Sequence, residues 1–399
     1  MFDAAVLGQV ALGYSPLIDP KRSVAATRLT LFPLRPDARV DIAQLLQSLA
    51  EVWPVDGGQV TLNIASESLL QDLIQAQPSP NLMVEVPAFM ACDAANTEPL
   101  LALHRHGNTL MLKGRPLSEM PRAVLPCFKY AIVDLAEDRR LHENGVTPTG
   151  VMRSVPFVQA GVRTVAEMEA SFKRGARAVL GWPIDDVIAP SGARKVPQSD
   201  LHAVADLVRR VEAQEPIDKL EQSLKHEPAI AFKLMRYLNS PAFGLQVEIS
   251  SFRHAIMILG YERLKRWLAL MLATASKEAN MKPVMFAAVR RGLLMEELAR
   301  GSGDETMRNE MFICGVFSLL DRMFQQPFEQ LLGALPVPDG VRLALVDQAG
   351  PYSAYLELVR AIENESFFDS RELSDRLMMG VAEVNQSVLR ALALAGSLD

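Results

Sequence analysis

The period of the apolar pattern changes once along this chain, and that change constrains the fold more than any other feature. From Val60 to Ile184 short β-branched runs recur: VTLNIA, LMVEV, TLMLK, YAIVDL, VPFVQAG and AVLGWPI. Helical patterns such as DIAQLLQSLAEVW, SESLLQDLIQ and TVAEMEASFKRG precede or separate them. Short apolar runs bounded by Gly, Pro and Asn suit strands buried on both faces. Their alternation with helices predicts a parallel sheet, either a barrel or a doubly wound layer. The segment 183–200, PIDDVIAPSGARKVPQSD, reads as a linker. Beyond it strand patterns stop. Leu264, Trp267, Leu268, Met271 and Leu272 follow i, i+3, i+4, i+7, i+8 spacing, and Ile230, Leu234 and Leu238 form a similar stripe. The second half is therefore predicted to be all-helical.

Composition removes several classes of function. The 399 residues suffice for two domains with sizeable cores, and 49% hydrophobic with 22% charged residues is ordinary for a soluble globular protein. A net charge of −6 argues against broad nucleic-acid binding. Cys92, Cys127 and Cys314 form no CxxC and read as reduced thiols. WLALMLATA, among the longest apolar runs, is about half the ~20 residues a membrane span needs. The N-terminus lacks the basic start of a signal peptide, so the cytoplasm is the expected location. Neither GxGxxG nor GxxxxGK[ST] is present.

The stretch YLNSPAFGLQVEISSFRHAIMILGYERL, residues 237–264, carries most of the polar groups of the helical half. Asn239-Ser240-Pro241 ends one helix, Ser250 or Ser251 can cap the next, and Gly260 permits a change of direction before YERLKRW. His254 has no histidine partner at i+3 or i+4 and reads as a packed residue near a helix start. Arg263, Lys265 and Arg266 read as a solvated basic turn. HEPAIAFKLMRYLNSPAFG followed by ISSFRHAIMILGYERLKRWLALMLA resembles the HDOD domain, a relative of HD phosphohydrolases without their metal-binding residues. Where an active HD enzyme would carry a histidine and then a His-Asp pair, the resemblance puts Gly292 or a neighbour and Ser318-Leu319, with Asp321 nearby.

The first half resembles the EAL barrel of cyclic di-GMP phosphodiesterases. LGYSPLIDPKRSVAATRLTLF is similar to its first two strands, VTLNIASESLL and LMVEVPA to its Asn- and Glu-containing strands, and GVRTVAEMEASFKRGARAVLGWPI to its end. On that resemblance only Asn63 and Glu85 stand at metal-binding positions. The Glu of the motif falls at Arg28 and the paired aspartates at Lys113-Gly114. The catalytic lysine and acid fall near Ala131 and Val133, with Asp134 one place out of phase. The remaining acids become Ala160 and Arg163, and a Gln becomes Leu180. Glu85 is expected to pair with a cation.

The resulting expectation is a multidomain α/β plus all-α protein. A degenerate EAL-like TIM-type (β/α) barrel at 1–190 precedes a helical HDOD domain at 191–399, with its core at about 196–300. Both modules are expected to be non-catalytic, without cofactor or bound metal, in a bacterial signal-transduction protein acting by protein–protein contact. The expected interaction surface is Asn239, Ser240, Arg263, Lys265 and Arg266. Partners are signalling proteins, not nucleic acid or membrane, and a homo-oligomer is left open. Loss of the acidic positions weighs against cyclic di-GMP binding. The alternatives are a catalytically dead cyclic di-GMP receptor and a metal-dependent phosphodiesterase using unrecognised residues.

Overall fold

The computed structural model describes residues 4–35, 40–54, 58–138, 155–186, 199–225, 252–273, 279–333 and 337–396. The chain divides into two compact units: residues 1–186 with 360–389, and residues 187–359 with 390–399.

Eight strands build the first unit: β1 Val10–Ile18, β2 Val24–Pro33, β3 Gln59–Ile64, β4 Leu82–Pro87, β5 Leu110–Lys113, β6 Phe128–Asp134, β7 Phe157–Ala160 and β8 Ala178–Leu180. They close into a barrel in chain order. From β2 to β8 neighbours run parallel, whereas β1 is antiparallel to both β2 and β8. The cause lies in the connection. Asp19–Ser23 closes on itself through an Asp19 N–H to Ser23 carbonyl bond, and a turn that short permits only an antiparallel pair. Three helices that join later strands are each started by a side-chain cap: Asp41 for Ile42–Val52, Ser66 for Glu67–Gln75, and a Thr164/Glu167 capping box for Val165–Lys173.

Alternation along the strands sorts inside from outside. Leu17, Ala26, Met83, Met111, Ile132, Val158, Ala178 and Leu180 belong to one apolar cluster that fills the barrel. The period of two then puts the next inward residues one layer nearer the C-terminal ends of the parallel strands: Arg28, Glu85, Lys113 and Asp134, with Ser15 on the reversed β1.

Residues 360–389, which the sequence reading assigns to the helical half, pack with the barrel instead. Asn385 donates to the carbonyls of Leu7 (2.8 Å) and Val10 (2.6 Å) and accepts from the Leu12 N–H at 3.1 Å. Trp182 Nε1 donates to the carbonyls of Tyr14 and Glu363, and Phe367 stacks on Phe32 at 6.1 Å. Gly13 makes room for this segment: a Cβ there would lie 3.0 Å from the Ile362 carbonyl and 3.1 Å from Glu365. The physical reason is β1, whose polar backbone groups Asn385 satisfies. Asn385→Ala is expected to strand three buried backbone groups and cost about 2–3 kcal/mol in denaturant titration of the full chain.

The second unit is helical among its described residues, including Ser199–Glu212, Ile217–Lys225, Phe252–Ala273, Lys282–Leu298 and Glu305–Phe317. Phe252–Ala273 is broken at Gly260, whose φ of 70° and ψ of 170° give the change of direction expected there. Leu264, Trp267 and Leu268 are buried. The linker residues 187–198, the stripe at Ile230–Leu238, and Asn239 and Ser240 lie outside the described residues, as does the side chain of His254. Among the described residues no helix is long and apolar enough to cross a membrane.

Candidate functional site at the barrel mouth

Arg28 on β2 is the centre of the upper layer. Its Nε and Nη2 donate to the two carboxylate oxygens of Glu85 on β4 at 2.7 and 2.8 Å, a two-point fork that spans β3. Its Nη1 donates to both oxygens of Glu365 at 3.2 and 3.1 Å, and the Ser15 hydroxyl donates to Glu365 Oε1 at 2.9 Å. The Glu85 side chain is fully buried and that of Arg28 is 12% exposed. Burial alone would lower the Arg28 pKa, but the carboxylates of Glu85 and then Glu365 outweigh it and hold the guanidinium above its ordinary value. The cation that pairs with Glu85 is Arg28, whereas Lys113, the lysine from which the sequence reading argues that pairing, donates to Asn63.

Beside this pair, Lys113 Nζ at the end of β5 donates to Asn63 Oδ1 at 2.7 Å, and Asn63 Nδ2 donates to the Thr30 hydroxyl at 3.1 Å. Burial, with Arg28 as a like charge, pushes the Lys113 pKa below that of an ordinary lysine, against the pull of Glu85, Glu365 and Asp134. Arg28, Asn63, Glu85 and Lys113 thus meet in one layer. Ala160 and Leu180 line the same interior as apolar wall.

Ala131 and Val133 do not belong there. The β5–β6 register shifts between Leu110 and Met111, which pair with Phe128 and Tyr130. The extra residue, Lys129, moves the inward phase to Tyr130, Ile132 and Asp134, so Ala131 and Val133 lie on the outer phase. Arg163 pairs with Asp185 at 3.2 Å and donates to Asn364. Ser15, Thr30 and Glu365 are site residues that the sequence reading missed. Glu365 carries no local signal, since 337 positions separate it from Arg28.

The donor set does not fit a divalent cation. Both Glu85 oxygens accept from Arg28, and the Asn63 oxygen accepts from Lys113. A fixed unit charge 4 Å from a divalent ion at an effective dielectric of ~20 opposes it by about 8 kcal/mol.

A Cβ on Gly292 would lie 2.4 Å from Val316 Cγ2, so the helix crossing leaves no room for a histidine. Arg291 Nη1 donates to the Ser318 hydroxyl at 3.2 Å, and Ser318 donates to the Gly315 carbonyl at 2.7 Å. Among the described residues no group of three His, Cys, Asp or Glu could hold a metal. The basic turn is less solvated than its sequence suggests. Arg266 lies over the Phe312 ring at 3.9 Å and pairs with Glu296, and Lys265 pairs with Glu262 (2.8 Å) and Glu212 (3.0 Å). Arg263 is exposed.

Comparison with known proteins supplies the class first. Residues 200–324 match the HDOD domain, and solved EAL structures are among those to which the chain is similar. Among curated relatives it is 27% identical over 192 residues to "Cyclic di-GMP phosphodiesterase CdgJ" of Vibrio cholerae, covering 48% of this chain and 44% of that one. It is 24% identical over 249 residues to "Uncharacterized protein YuxH" of Bacillus subtilis, covering 61% and 60%. The chain thus spans about half the length of the curated relatives it matches. Among solved structures, the PaMucR phosphodiesterase in complex with c-di-GMP overlaps 45% of this chain and 96% of its own, at 16% identity and a TM-score of 0.33.

Two expectations are corrected by these comparisons. That the chain is not an enzyme is overturned by a curated relative named as a cyclic di-GMP phosphodiesterase. That cyclic di-GMP binding is disfavoured is overturned by EAL structures solved with that nucleotide, PaMucR among them. The loss of family acids, on which both expectations rested, speaks to a metal seat and not to a cationic one.

Proposed function

We propose that this chain is a cyclic di-GMP signalling protein whose barrel mouth takes the nucleotide and whose helical HDOD half passes the outcome to a partner protein. The observation that carries the reading is the pair of cations, Arg28 and Lys113, held on the inner wall at the C-terminal end of the parallel strands. A guanidinium and an ammonium are the side chains that recognise phosphate, and this end of a (β/α) barrel is where such sites are built. The name of the Vibrio cholerae relative supplies the nucleotide. On the helical half, Met257 at 60% exposure and Arg263 are the surface that helix Phe252–Ala273 offers to a partner.

Calorimetric titration of the full chain with cyclic di-GMP tests the nucleotide arm. Lys113→Gln is expected to weaken binding about tenfold, roughly 1.4 kcal/mol. The lysine binds phosphate as its cation and its pKa is depressed. Wild-type affinity is therefore expected to fall as pH rises through the range below the ordinary lysine value of 10.5, while the glutamine variant stays flat. Equal affinity of the two proteins at every pH overturns the assignment. Linear product formed by the wild type and abolished by Glu85→Gln extends the reading from binding to turnover.

A further inference from the structure

We infer that Glu365 is a built-in carboxylate cap on the barrel mouth, holding the Arg28 position that an incoming phosphate requires. The inference rests on the nucleotide reading of the same site and adds its regulation. Arg28 has three nitrogens; Nε and Nη2 serve Glu85, and Nη1 is the one turned to Glu365. A phosphate approaching Arg28 must therefore replace the Glu365 carboxylate, a group with the same charge sign and the same paired-oxygen geometry. Ser15 holds that carboxylate in place from β1.

Charge balance points the same way. Among the described residues, the layer without Glu365 holds two cations, Arg28 and Lys113, against two carboxylates, Glu85 and Asp134. Adding Glu365 makes that layer net negative, which disfavours a dianionic dinucleotide there. The cap also sits on a segment made to be placed. Helix Ser353–Glu363 ends just before it, Glu365 has a left-handed φ of 55°, and its N–H bonds the Ile362 carbonyl. Glycine or asparagine is the usual occupant of such a backbone position, and here it carries a long acidic side chain instead. Gly13 opposite is the residue that lets the turn approach β1. Glu365 is 18% exposed in its side chain, so water reaches the contact and the carboxylate can leave without crossing a packed core.

The test uses the full chain as wild type, Glu365→Gln and Ser15→Ala, with cyclic di-GMP and inorganic pyrophosphate as separate probes. Unchanged circular dichroism and melting temperature confirm that the variants are folded. Glu365→Gln is expected to bind both probes at least tenfold more tightly than wild type, with Ser15→Ala shifted in the same direction by a smaller factor. If cyclic di-GMP binds wild type and Glu365→Gln equally, the cap is overturned while the nucleotide reading stands. If pyrophosphate binding rises in Glu365→Gln but cyclic di-GMP binds neither protein, the cap stands and the nucleotide reading falls. If neither probe binds any form, both are overturned.

Discussion

Arg28→Ala is expected to destabilise the barrel unit by about 3–5 kcal/mol, because it leaves the fully buried Glu85 carboxylate without its counter-ion. The size follows from asymmetry. Two buried charges that satisfy each other contribute little net stability, but one alone pays the desolvation of a full charge. The double variant Arg28→Met, Glu85→Met is therefore expected within about 1–2 kcal/mol of wild type, since two methionines fill similar space without a stranded charge. A thermodynamic cycle over Arg28→Met, Glu85→Met and the double, in urea, measures the coupling directly. Because two units unfold in this chain, the barrel transition is followed through Trp53 and Trp182 in a Trp267→Phe background. A loss below about 1 kcal/mol for Arg28→Ala would mean that water reaches Glu85.

Gly315→Ala is the second large effect, expected in the helical unit. A Cβ at that position would stand 2.5 Å from the Arg291 carbonyl oxygen and 2.7 Å from Gly292 Cα, both backbone atoms that cannot rotate away. Helices Lys282–Leu298 and Glu305–Phe317 must then separate, at a cost of about 3 kcal/mol. For a unit of this size that corresponds to roughly 6–12 °C in the melting temperature. Gly396→Ala, with open space around it, is the control and is expected to melt like wild type. Equal melting of the two variants would show that the crossing has room to spare.

How much of this was legible depended on the range of the signal. Short β-branched runs between helices announced β3 to β8, because a strand covered on both faces needs an unbroken apolar run. The reversal of β1 was not announced by periodicity, since an antiparallel and a parallel strand have the same period of two. Arg28, Asn63, Glu85 and Lys113 could be brought to one layer because each is in phase with its strand. Ala131 and Val133 were placed one residue off, since the bulge at Lys129 shifts phase without marking the composition of YAIVDL. Lys265 and Arg266 looked solvated because their partners, Glu212 and Glu296, come from other helices. Glu365 was invisible for the same reason on a larger scale.

The return of residues 360–389 to the barrel also imposes an order in time. A ribosome that has just completed β8 must still make about 185 residues to reach Glu365 and about 205 to reach Asn385. At ~5–20 residues per second this takes roughly 10–40 s. Throughout that interval the backbone groups of Leu7, Val10 and Leu12 have no Asn385 to satisfy them, and Arg28 has no Glu365. The first unit to leave the ribosome thus stays unfinished until nearly the whole chain is made, and the nascent barrel meets the cell with its mouth uncapped.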